Sequence, residues 1–253
     1  MVSSVKNMLI MNAFFDFNTD VSQAAGFGLF SAGHILWLAA GALSTALLCR
    51  AYMRTDSRRR RALALGTALT SLGIELLRAA LLMAAGKYDV GRLPLHLCGL
   101  AVYIELLHAL RPRETTGQFL YAFCMPGALF ALVFPDWSCY PLWHFTTVSA
   151  FLLHILLAAY PLMLALGGDI RPEVRETPRC LGIMLALAAP VYVFDRLTDT
   201  NYMFLNWPSP GSPLEWFAFL GRPGYLLGYL PILCAVWALL YLPFALRRGR
   251  RGK

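Results

Sequence analysis

The sequence predicts an all-α, polytopic membrane bundle of about seven transmembrane helices. Three observations predict it. Of the 253 residues, 58% are hydrophobic, and the mean hydropathy is +0.57. Charged residues make up only 14%, where a soluble domain carries roughly a quarter. The apolar residues also fall into runs near the ~20 residues that a bilayer crossing needs, and basic residues collect between alternate runs. No stretch outside the runs is long enough for a separate soluble domain. The organisation read from this is an interfacial segment over 1–26, a seven-helix domain over 27–246 and a basic tail over 247–253.

The spans are expected, in order, at 27–52, 62–85, 93–110, 117–134, 143–168, 179–197 and 222–246. The third, fourth and sixth are the shortest or most polar. Ahead of them, Lys6 and the apolar Met8-Leu9-Ile10-Met11 hint at a signal peptide. The apolar run is short and no small-residue cleavage site follows, so a retained interfacial segment is expected. The Met125-Pro126-Gly127 stretch reads as a helix break.

Charge sets the expected orientation. Sixteen of the 22 basic residues lie in the loops after spans 1, 3 and 5 and in the tail, including Arg58 to Arg61. The opposite side has Lys6, Lys87, Arg92 and Arg222. The positive-inside rule then places the N-terminus outside and the C-terminus in the cytoplasm. Topology and anionic lipid account for the basic tail, so nucleic acid is not an expected partner.

Six cysteines are present and no CxxC, which argues against a zinc ribbon or a thioredoxin-type site. Most lie in or beside apolar runs, where cysteine behaves as a small hydrophobe.

The informative residues are ionisable groups inside the spans. A charge at a helix centre costs about 2.5–3.5 kcal/mol, so such groups face the bundle interior and suggest function by default. They are His34, Glu75, Arg78, His96, Glu105, His108, His144, His154, Asp195 and Arg196, with the thiol of Cys98. At about 1.5 Å per residue, all but Glu105 and His108 gather in the outer half, which suggests one pocket. Plain structural readings stand beside this. Glu75 with Arg78, Asp195 with Arg196, and Glu105 with His108 could each be pairs, and His144 could be an interfacial anchor.

Cys98 is the sharpest case. Pro94 suits the first turn of a helix, which puts Cys98 about one turn in, where the dipole favours a thiolate. Gly99 leaves room for close approach. A thiol nucleophile needs a base, usually histidine. His96 is two residues away and points elsewhere, so the base comes from another helix. His154 and His34 are the candidates, and Glu75 could orient the imidazole.

Gly33-His34, Glu75, the LPLHLC stretch at 93–98, Pro135-Asp136, the pair His144 and His154, and Asn201-Tyr202-Met203-Phe204-Leu205 with Pro208-Ser209-Pro210 also carry a resemblance. Together they make the chain resemble the YwaF-type bacterial integral membrane proteins. It is similar, too, to the related eukaryotic transmembrane phospholipid acyltransferase. The resemblance implies a cysteine-dependent transacylase in the bacterial cytoplasmic membrane. It would move an acyl chain between phospholipid and lysophospholipid, with no soluble cofactor. It assigns Cys98 as nucleophile and His154 as base. Arg78, Arg196, Asn201 and Tyr202 would bind the headgroup or oxyanion, and His34, His96 and His144 would line the pocket.

Other classes remain open at this level. A transporter or sensor would use the same polar cluster. A rhodopsin-type pigment is excluded, since no lysine lies in the seventh span. A bis-histidine haem protein would draw on the four outer histidines. A lipid hydrolase would share the acyltransferase site and differ only in acceptor.

Overall fold

The computed structural model describes residues 14–16 and 26–251. Most of the expected N-terminal interfacial segment, and the side chains of the basic tail, lie outside the described residues.

The described residues form helices and turns with no strand. Seven helices carry the fold: α1 Ala32–Arg54, α2 Ser57–Ala84, α3 Leu97–Leu110, α4 Glu114–Val133, α5 Phe145–Gly167, α6 Thr177–Thr198 and α7 Tyr229–Arg251. Six segments are long and apolar enough to cross a membrane; α3 is the shorter apolar helix. Its 14 residues rise only about 21 Å, less than the ~30 Å hydrocarbon core.

The helix starts follow their caps. The Asp56 side chain accepts the Arg59 N–H at 2.9 Å, so α2 begins at Ser57, five residues before the expected span. Its arginines prolong the helix beyond the apolar part. Conversely, α3 begins four residues late. His96 is extended at φ −63°, ψ 153° and caps the helix, so 93–96 form a non-helical approach. The α-helical part of α7 begins at Tyr229 rather than 222, behind a 3₁₀ turn over Gly224–Gly228.

The expected break near Pro126 is not a break. Helix α4 runs through it with a π-helical turn over Leu120–Cys124, in which the Met125 N–H donates to the Leu120 carbonyl. Pro126 has no N–H to offer, and the wide turn shifts the register past it.

Helices α4 and α5 are central, with 67% and 72% of their apolar windows buried, against 17% for α1, α6 and the seventh span. The outer helices therefore present most of their apolar surface to lipid. Helix α5 packs against α1, α2, α3 and the last part of α4. Cross-links tie both ends of the bundle. Arg60 of α2 donates to the Gly167 carbonyl of α5 at 2.9 Å at the arginine-rich end. At the other end His34 of α1 donates to the Leu132 carbonyl of α4 at 2.8 Å. A long loop from 199 to 228 folds over this second end, between α6 and α7.

Candidate functional site

The loop after α6 is organised by one buried carboxylate. Oδ1 of Asp195, fully buried, accepts the Tyr202 N–H at 3.0 Å and the Thr200 hydroxyl at 2.7 Å. The chain reverses through Asp199, Met203 and Phe204, all at φ near +53°, a left-handed region that non-glycine residues enter only when the surroundings hold them. Asn201 fastens the turn. Its Oδ1 accepts the N–H groups of Asn206 and Trp207, and its Nδ2 donates to the Trp207 carbonyl. The Tyr202 hydroxyl donates to the Val90 carbonyl and accepts the Leu93 N–H. Asn201 and Tyr202 thus build the site wall through bonds to backbone.

The wall encloses a cleft of about 390 Å³, lined among others by His96, Asp136, Asn201, Tyr202, Phe204 and Trp207. The exposed Arg222 guanidinium stacks 5.3 Å above the ring of the lining residue Trp207. Nδ1 of His96 accepts the Met203 N–H at 3.2 Å, and its ring meets Tyr202 edge-on.

Cys98 stands at the second residue of α3, half-buried. It is nearer the helix start than Pro94 alone suggested. The first-turn N–H groups of a helix have no carbonyl partner within it, and the Gly99 N–H points at the Cys98 sulfur. The room expected beside Gly99 is occupied. A Cβ there would lie 2.8 Å from the Pro94 carbonyl oxygen, so glycine is what lets the 93–96 approach fold against the helix.

Glu75, Arg78 and Asp136 all lie within electrostatic reach of Cys98. Glu75 and Arg78 do pair, with both guanidinium contacts satisfied at 2.6 and 3.1 Å. Asp195 and Arg196 do not: Arg196 donates to Asn206 at 3.1 Å. Asp136 is crowded by protein atoms, yet its side chain is exposed to the cleft.

His154 is buried and stacks on Trp137 with ring centroids 4.7 Å apart. Its Nδ1 lies 2.8 Å from the Ala150 carbonyl. A carbonyl only accepts, so in the neutral ring Nδ1 carries the proton and Nε2 the lone pair. Among the described residues Nε2 has no hydrogen-bond partner. The place at Nδ1 foreseen for Glu75 is therefore filled by backbone, while Asp136, His96 and Glu75 lie within electrostatic reach of the ring. Asp136 and Glu75 are thus shared neighbours of Cys98 and His154. No hydrogen bond joins the sulfur to a histidine nitrogen among the described residues.

The two remaining outer histidines are engaged differently. His34 accepts the Phe30 N–H at Nδ1 and donates from Nε2 to Leu132. His144 accepts the Thr146 N–H at Nδ1 and faces the Asp16 carbonyl with Nε2. In both, each ring nitrogen is bonded to backbone, and neither has a described contact with Cys98. Nor do Glu105 and His108 pair. His108 Nδ1 meets the Thr116 hydroxyl at 2.7 Å, while both Glu105 oxygens are buried without a partner. Among the described residues no group of three or more His, Cys, Asp or Glu could hold a metal ion.

With this geometry in place, the chain can be set against known proteins. The model of the TMEM164 family matches residues 29–241. The chain belongs to the TMEM164 family. The match takes in all seven helix starts and every candidate residue named above. Membership of the TMEM164 family and six span-like helices make the chain an integral, multi-pass membrane protein. No curated protein and no solved structure matches it.

Asp136, Trp207 and Arg222 are the site residues that sequence reasoning did not assign. Asp136 was visible only as part of Pro135-Asp136, in a loop outside the spans. Trp207 and Arg222 approach each other only through the fold of the 199–228 loop.

Proposed function

We propose that the protein is a cysteine-dependent phospholipid transacylase, with Cys98 as nucleophile and His154 as general base. The observation that carries the reading is the tautomer of His154. The Ala150 carbonyl holds the proton on Nδ1, leaving an unprotonated Nε2 on a ring that shares Asp136 and Glu75 as neighbours with the thiol. That is the form a base needs.

The chemistry follows from these groups. Nε2 takes the Cys98 proton as sulfur attacks the ester carbonyl of a phospholipid. The tetrahedral oxyanion is met by free N–H groups at the start of α3. Collapse breaks the C–O bond, His154 returns the proton to the departing lysophospholipid hydroxyl, and Cys98 holds the acyl chain as a thioester. A second lysophospholipid then gives its hydroxyl proton to Nε2 and attacks the thioester. The new ester forms, and the Cys98 sulfur leaves and regains the proton. Donor and acceptor come from the bilayer, and no soluble cofactor enters.

Arg222 over Trp207, and Arg92 beside Asp136, suit a phosphate headgroup at the mouth. Arg78 keeps Glu75 in place near the thiol, and Arg196 braces the wall through Asn206. His96 closes the cleft against Tyr202. His34 and His144 hold the surrounding backbone. The site then faces the outer leaflet, in the orientation that the arginine distribution favours. The YwaF-type placement and a bacterial cytoplasmic membrane belong to the same reading.

The test is intact-protein mass spectrometry after incubation with a diacyl phospholipid in nanodiscs. The account expects an acyl adduct on Cys98 that hydroxylamine removes, lost in Cys98→Ala and reduced in His154→Ala. An adduct that survives Cys98→Ala would contradict it.

A further inference from the structure

About 10 Å along α3 from Cys98, the protein buries a second polar group that the acyl-transfer chemistry does not use. Glu105 is fully buried, and neither carboxylate oxygen has a hydrogen-bond partner. The Ser71 hydroxyl of α2 faces it but falls short of hydrogen-bond geometry, and Ser71 is itself fully buried and unpartnered. The Tyr160 hydroxyl of α5 is buried, unpartnered, and within electrostatic reach of the same carboxyl. Three helices therefore bring four unpartnered polar atoms to one place in the bundle core.

The surroundings decide the charge. The titratable neighbours are Cys124 from α4 and Tyr160 from α5, while α2 offers only Ser71. On α3 itself His108 turns its Nδ1 to Thr116. Among the described residues no arginine or lysine stands within reach of the carboxyl. An ionised carboxylate without a cation in such a setting is strongly disfavoured, and the group neutralises instead. A neutral acid and two hydroxyls then carry three O–H donors, which buried sites satisfy through internal water. The π-helical turn over Leu120–Cys124 runs beside them. Such turns release backbone carbonyls from the regular ladder and recur at functional sites.

We propose that Ser71, Glu105 and Tyr160 enclose an intramembrane proton-binding site, in which a neutral Glu105 acid is joined to both hydroxyls through internal water. The site does not depend on the transacylase reading. Its position suits proton exchange with the arginine-rich end of the bundle. There His108 lines a cleft of about 470 Å³ and meets the Tyr160 ring edge-on at 6.2 Å.

Infrared difference spectroscopy on protein in nanodiscs tests this. The wild type should show a carboxylic-acid C=O stretch at neutral pH that is missing in Glu105→Gln. The band should shift on transfer to deuterium oxide, and again in Ser71→Ala and in Tyr160→Phe. These two variants keep the acid, so the test stands even if Glu105→Gln folds poorly. A band absent from the wild type would overturn the proposal, and sodium ion raising the unfolding temperature would then point to a bound cation. A band present but unmoved in both hydroxyl variants would overturn the shared site.

Discussion

Replacing Asp195 by alanine should loosen the cleft wall by a calculable amount. Its Oδ1 accepts two hydrogen bonds, from the Tyr202 N–H at 3.0 Å and the Thr200 hydroxyl at 2.7 Å. Thr200 has a second partner in the Thr198 hydroxyl at 2.8 Å, so its loss is small. No other acceptor is described for the Tyr202 N–H. A hydrogen bond contributes about 0.5–1.5 kcal/mol, and an orphaned buried donor costs about 1–3 kcal/mol. Against this, Oδ2 of Asp195 is buried without a partner, and alanine removes that burden. The net expectation is about 2–3 kcal/mol, or a fall of roughly 4–12 °C in Tm for a chain of this size. Asp195→Asn keeps the Oδ1 acceptor and should stay within about 1 kcal/mol of wild type. The assay is thermal exposure of the buried free thiols Cys49, Cys124 and Cys180 to a maleimide dye. If asparagine lowered Tm as much as alanine, or alanine left it unchanged, the capping argument would be refuted.

Further expectations follow the same logic. Glu75→Gln leaves Arg78 without its carboxylate in a setting where the arginine side chain is only 24% exposed. It should cost about 1–3 kcal/mol, discounted from the 3–5 kcal/mol of a fully buried pair, and a Glu75→Gln/Arg78→Gln double variant should recover part of the loss in the same thiol assay. Gly99→Ala drives a Cβ to 2.8–2.9 Å from Pro94 backbone atoms. It should cost about 1–3 kcal/mol as overpacking and disturb the start of α3, seen as a changed rate of Cys98 alkylation. Arg222→Ala removes the cation stacked on Trp207 of the cleft lining. It should weaken lysophospholipid binding without lowering stability by more than about 0.5 kcal/mol, the usual effect at an exposed site.

The bundle itself was legible because its signal is collective. Long apolar runs and arginine-rich loops repeat along the chain, and no single residue decides them. Helix ends were less legible, because they depend on individual caps. Asp56 started α2 inside what read as a loop, and the extended His96 delayed α3. The Met125-Pro126-Gly127 signal was real, but a π-turn absorbed it. Among the candidate site residues, polarity and depth identified those near Cys98, and the Glu75–Arg78 spacing foretold a pair. Spacing could not reveal which nitrogen of a histidine is free. His34 and His154 stood as equal candidate bases in the residue pattern, and their backbone partners separate them. Asp136 and Arg222 were given no site role because charges in loops are ordinary until the chain folds them toward a cleft.

The central claim is acyl transfer through Cys98 with His154 as base. The most direct measurement is lipid mass spectrometry on purified protein in nanodiscs, supplied with a labelled lysophospholipid and a diacyl donor. The wild type should yield labelled diacyl lipid, and Cys98→Ala and His154→Ala should yield none. Labelled diacyl lipid at wild-type level from Cys98→Ala, or no cysteine-dependent lipid product across a broad donor panel, would contradict it.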